Sequence, residues 1–123
     1  MGDLSAHFSK KEFACKCGCG FDTPDPKLIE ALEDLRSRLD VPLTINSACR
    51  CEKHNKAEGG SPKSQHLLGK AADVRVPPGH SVDSVAFHAE NIEAFRKGGI
   101  GKYPRSGFVH LDVRSNGPAR WVQ

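Results

Sequence analysis

A chain of 123 residues with 37% hydrophobic content and a net charge of +3 is sized for one domain, 1–123, around one core. The basic excess is small and no Lys/Arg-rich run accompanies it, which argues against nucleic acid as a partner. No apolar run reaches the length of a membrane span. Met1-Gly2-Asp3-Leu4-Ser5 carries no secretion signal, so the chain either starts in the cytoplasm or has lost a leader, and its location stays open.

In chain order, Ser9-Lys10-Lys11-Glu12 fits a capping box and predicts a short helix. The glycine- and cysteine-rich run Cys15 to Gly20 ends it as a loop. Asp25-Pro26 starts a second helix, with Leu28, Ile29, Leu32, Leu35 and Leu39 at helical spacing and a stop at Asp40 and Pro42. Leu43 to Ser47 reads as a strand, followed by a turn and short helix over 48–55 and a surface loop over 58–63. Ala71 to Val76 is a second strand, ended by Pro77-Pro78-Gly79. Ser81 is placed to cap one longer helix through Arg96, with Val82, Val85, Ala86, Ala89, Ile92 and Phe95 as its apolar stripe. Ile100 to Tyr103 and Gly107 to Arg114 form a hairpin around Pro104-Arg105-Ser106. Ala119 to Val122 can add a last strand.

Five cysteines are many for this length. Cys15, Cys17 and Cys19 form one group, and Cys49 and Cys51 flank Arg50. The Cys-x-Cys spacing differs from the Cys-x-x-Cys knuckle of common zinc sites. Disulfides, a second structural metal and free thiols all remain open. We expect a bond or a shared metal between the groups, pinning the N-terminal loop beside the Arg50 turn.

The densest chemistry lies in Ser64-Gln65-His66-Leu67-Leu68-Gly69-Lys70-Ala71-Ala72-Asp73 and in Phe108-Val109-His110-Leu111-Asp112. Two histidines and an aspartate meet the needs of a catalytic zinc site that keeps one position open. His66, Asp73 and His110 are therefore the expected ligands of one Zn2+. The same donor types also make the facial triad of non-haem iron enzymes. Strand alternation puts Asp112 on the face of His110. His7, His80 and His88 read as surface or satisfied histidines, whereas His54 follows the Arg50 turn and is a candidate for the site.

The pattern Ser64-x-His66-x-x-Gly69-x-Ala71-x-Asp73 resembles the signature of the peptidoglycan D-alanyl-D-alanine metallopeptidases, related to the hedgehog amino-terminal domain and to lysostaphin-type enzymes. Further pieces fit it: Ile45-Asn46-Ser47-Ala48-Cys49-Arg50, His54-Asn55, Gly59-Gly60, Gly99-Ile100-Gly101-x-Tyr103-Pro104 and Phe108 to Asp112. The opening His7-Phe8-Ser9-x-x-Glu12-Phe13 with its cysteine loop resembles a compact subgroup. The resemblance implies zinc on His66, Asp73 and His110, and Arg50 as the grip on a substrate carboxylate or carbonyl. Ser64 and His54 are expected to help bind substrate. The implied fold is α+β: a small antiparallel sheet carries the metal, and helices pack on its other face.

Many relatives place a general base three residues before the last ligand, or a histidine two before it. Here those positions hold Gly107 and Phe108. We therefore expect Asp112 to act as base. The implied activity is zinc-assisted amide hydrolysis in peptidoglycan peptides, of carboxypeptidase or endopeptidase (endolysin) type, by a monomer. The alternative is a hedgehog-like binding module with a catalytically silent zinc.

Overall fold

The computed structural model describes residues 2–123. After α1 (Lys10–Phe13), the chain enters its longest helix, α2 (Pro26–Leu39), at a proline preceded by Asp25, whose carboxylate accepts from Lys27 N–H at 2.9 Å. Leu28, Ile29, Leu32, Leu35 and Leu39 are buried along it, as their spacing predicts. Asp40 closes it in the left-handed region (φ 57°), donating its N–H to Arg36 O at 2.9 Å. That conformation is one that few residues other than glycine, Asn and Asp tolerate.

Five strands follow: β1 (Ile45–Ser47), β2 (Ala71–Arg75), β3 (Gly99–Tyr103), β4 (Phe108–Asp112) and β5 (Ala119–Val122). They form one sheet in the order β1-β2-β4-β3-β5. The first four pair antiparallel, while β5 runs parallel to β3. The sheet is thus mixed, and the α+β class holds. Between β1 and β2 lie α3 (Glu52–Ala57) and a single 3₁₀ turn, Gln65–Leu68.

The helix expected from Ser81 to Arg96 is two helices, α4 (Val82–Glu90) and α5 (Glu93–Arg96). Asn91 causes the break. Its side-chain amide donates to Phe87 O at 3.0 Å, the carbonyl that the next helical turn would have used. Ile92 then turns extended, and it and Phe95 both stay buried.

Alternation divides the sheet into two faces. Ala72, Val74, Val109, Leu111 and Ile100 belong to a core cluster shared with the buried residues of α2, α4 and α5. The opposite face carries Asp73, His110, Gly101 and Trp121. No described helix is long and apolar enough to cross a membrane.

Candidate metal centre and cleft

One transverse row of the sheet sets out the site. Ser47 pairs with Asp73, Asp73 with His110, His110 with Gly101, and Gly101 with Trp121. Period-two alternation sends these side chains to the same face. His66 arrives from the 3₁₀ turn, whose cap is Ser64: the hydroxyl accepts from His66 N–H at 3.2 Å. Gly69, left-handed at φ 68°, ends that turn and steers the chain into β2.

His66, Asp73 and His110 are buried, and their donor atoms lie within 4.8 Å of one another. His66 Nε2 is 3.2 Å and His110 Nδ1 is 3.1 Å from the same oxygen, Oδ1 of Asp73. The outer nitrogens decide what the inner ones are. His66 Nδ1 lies 2.6 Å from Ala48 O, which can only accept, so Nδ1 carries a proton and Nε2 presents a lone pair. His110 Nε2 lies 2.8 Å from Asp112 Oδ2, which leaves Nδ1 as its inward lone pair.

Three electron-pair donors therefore converge on one point, an arrangement that requires positive charge. Burial alone would push Asp73 up and His110 down. When protons on the two inner nitrogens meet that demand, hydrogen bonding to His110 and His66 holds Asp73 well below the usual carboxylate range, and Asp112 and Asp73 draw His110 upward. A cation among these donors satisfies the same demand, and the ring nitrogens' outer partners are those that metal-bound histidines use. The residues fit a metal ion.

Asp112, expected on the cleft side of His110, lies behind the ring and is not among the cleft-lining residues. Its carboxylate is fully buried on the far side of the His110 ring from Asp73. It accepts from Gly99 N–H (2.8 Å), and from Arg114 Nε (2.9 Å) and Nη2 (2.7 Å). Burial works against its charge, but the Arg114 fork and His110 hold it far below the ordinary range. A Cβ at Gly99 would overlap this carboxylate, so glycine makes the room for it.

Arg50 lines the same cleft as His66, Asp73 and His110. Its backbone N–H donates to His66 O at 3.1 Å, which ties the arginine turn to the metal motif. The guanidinium donates to Ser47 Oγ (3.0 Å), Asn55 Oδ1 (3.4 Å) and Asp73 Oδ2 (3.3 Å). Ser64 lines the cleft next to His66. His54 does not join them. It is not among the cleft-lining residues, and its Nε2, 3.6 Å from Glu58 Oε1, makes no hydrogen bond.

The cleft over these donors holds about 670 Å³. Its walls include Glu58, Tyr103, Arg114 and Trp121, none of which sequence reasoning named as a site residue. Trp121 lies across Gly101, where a Cβ would strike the indole, and its ring centroid is 5.0 Å from that of His110. Its Nε1–H donates to Tyr103 O–H at 2.9 Å. Alternation along β3 and β5 was the available signal, but it needed the parallel pairing to be known. Asn55, quoted only as part of the family pattern, was given no role. Buried, it accepts from Arg50 and donates to Ser61 O at 2.8 Å.

The peptidase M15 family model matches residues 6–112. The chain is 34% identical over 103 residues to the peptidoglycan L,D-endopeptidase MepK of Escherichia coli, covering 78% of this chain and 53% of that protein. It is 37% identical over 104 residues to the probable peptidoglycan L,D-endopeptidase MepK of Haemophilus influenzae, covering 78% and 52%. The chain thus spans about half the length of the curated relatives it matches.

Proposed function

Because the chain belongs to the peptidase M15 family, we propose that it is a zinc-dependent peptidase acting on the peptide part of bacterial peptidoglycan. The observation that carries this reading is the three-donor cluster on the cleft floor beside Arg50. The named activity of the relatives favours an endopeptidase cutting between an L and a D centre over a carboxypeptidase trimming a terminal residue. The mild net charge of +3 suits an anionic wall polymer.

Zinc would be held by His66 Nε2, Asp73 and His110 Nδ1, where it supplies Lewis-acid polarisation of a carbonyl and a water of lowered pKa. The chain's own groups do the rest. Arg50, fixed by Ser47, Asn55 and Asp73, offers a charged planar fork to a substrate carbonyl or carboxylate. Asp112 is a positioning residue: by accepting from His110 Nε2 it keeps the Nδ1 lone pair directed inward. The proton acceptor then belongs to the cleft wall, where Glu58 is the carboxylate besides Asp73 among the described residues. Trp121 and Tyr103 give the cleft an aromatic wall.

Digestion of purified peptidoglycan with mass analysis of the fragments tests this reading. Newly exposed termini at an L–D peptide bond are expected, and no cleavage by zinc-loaded protein would defeat it. A second reading, a hedgehog-like binding module with a silent metal, draws on the turn of Asp112 away from the cleft. Wall binding without released fragments would select that one.

A further inference from the structure

Four of the five cysteines meet at a place the cleft does not use. Cys15, Cys17 and Cys19 lie on the loop after α1, and Cys51 follows Arg50. Their sulfurs lie within 4.8 Å of one another. The Cys15–Cys17, Cys17–Cys51 and Cys15–Cys51 separations are 3.4, 3.5 and 3.8 Å. A disulfide needs about 2.05 Å and joins sulfurs only in pairs. Four thiolates at about 2.3 Å from a tetrahedral zinc would stand about 3.8 Å apart along each edge. The observed triangle is close to one face of that tetrahedron, and Cys19 supplies the fourth corner.

The backbone is arranged to suit. In an extended strand, residues two apart would point the same way but lie too far apart to share one ion. Gly18 and Gly20, left-handed at φ 81° and 91°, curl the loop so that alternate side chains converge. Cys51 N–H donates to Cys15 Sγ and His54 N–H to Cys51 Sγ, each at 3.4 Å, the bonds that a thiolate accepts. Cys49 stands apart from this group, buried in the core cluster, and accounts for the odd count.

We infer that Cys15, Cys17, Cys19 and Cys51 bind a second zinc ion, a structural tetrathiolate centre that clamps the N-terminal loop to the Arg50 turn. The loop has few other ties: Cys15 N–H to Phe21 O at 2.8 Å and Gly18 N–H to Cys15 O at 3.1 Å. One ligand, Cys51, is next in sequence to the arginine that lines the cleft, so the clamp also braces Arg50.

The test is metal analysis of protein purified without added metal, followed by cobalt exchange. Two zinc ions per chain are expected in the wild type and one in Cys51→Ser. The cobalt form should show thiolate-to-metal charge-transfer bands in the near ultraviolet. These should persist in His66→Ala and vanish in Cys51→Ser. Should Cys51→Ser fail to fold, the wild-type zinc count, cobalt spectrum and non-reducing intact mass decide by themselves. Absence of the thiolate bands, a disulfide among these four cysteines, or iron in place of zinc would overturn the assignment. None of these readouts depends on peptidoglycan cleavage.

Discussion

The two donor clusters differ in what holds them in place. His66, Asp73 and His110 sit on paired strands and a capped turn, and the outer nitrogen of each imidazole has a partner of its own. Three of the four thiols sit on one loop, and Cys17 and Cys19 are exposed. Sheet register preorganises the first cluster before any ion arrives. The second cluster owes its order to the ion it would share. Removing metal from the first should therefore cost chemistry and spare the fold. Removing it from the second should loosen the loop and spare the first site.

The largest effect should come from the strand-borne cluster. His66→Ala deletes a ligand, and Lewis-acid stabilisation is worth several kcal/mol. At about 1.4 kcal/mol per tenfold, peptidoglycan cleavage should fall by about 10³-fold or more. One zinc per chain should be lost and the thiol-bound one retained. Near-normal cleavage by His66→Ala would show that this cluster is not the catalytic one.

Next in size is Arg50, which links the clusters through Cys51. Arg50→Lys keeps the charge but loses the fork that meets Ser47, Asn55 and Asp73 together. Turnover should drop by about 10²–10³-fold, the scale of losing one oriented transition-state donor. Zinc content should not change. If Arg50→Lys cleaves at the wild-type rate, the guanidinium serves only to steady Asp73.

Asp112 and Glu58 separate holding a metal from using it. Asp112→Asn should weaken zinc binding by about 10–100-fold, as losing a histidine's outer partner does. It also strips Arg114 of its buried counter-charge, at about 1–3 kcal/mol of stability. Excess zinc should restore most of its turnover. Glu58→Gln, on an exposed side chain, should leave zinc affinity and stability alone and lower turnover by about 10²-fold or more. Titrating zinc against activity for both variants distinguishes them. An Asp112→Asn protein that binds zinc normally yet stays inactive would return Asp112 to the role of base.

What the sequence made legible follows the same division. The helical stripe of α2, the strands bearing the ligands and the shared face of Asp73 and His110 all follow from local periodicity, because period and burial there agree. Three things needed tertiary information. Asn91 looks like any exposed helical residue until its amide takes the Phe87 carbonyl. Trp121 reaches His110 only because β5 pairs in parallel with β3 across a glycine. Alternation put Asp112 on the correct face, but not on a side of the His110 ring. Gly99 and Arg114 settled that by opening a buried niche behind the imidazole.

The smallest effect probes the other anchor of the N-terminal segment. Glu33 on α2 accepts from the Ser5 hydroxyl and from His7 N–H at 2.8 Å, and meets His7 Nδ1 at 2.7 Å. Burial would push its carboxyl up, but these partners outweigh that and hold it below its ordinary value. A depressed folded-state pKa means that the stabilisation is fully present above the unfolded value of about 4.3 and is lost as the pH falls through the folded value. The tie is worth about 0.5–1.5 kcal/mol. Protection of the amides over residues 2–9, taken relative to their intrinsic exchange rates, should therefore fall in acid in the wild type. Glu33→Gln should exchange faster already at neutral pH, with a weaker acid response. Residues 14–20 should respond instead to chelation and ignore Glu33. If acid and chelator loosen both stretches together, the N-terminal segment is one cooperative unit, and the thiol clamp cannot be acting on the loop alone.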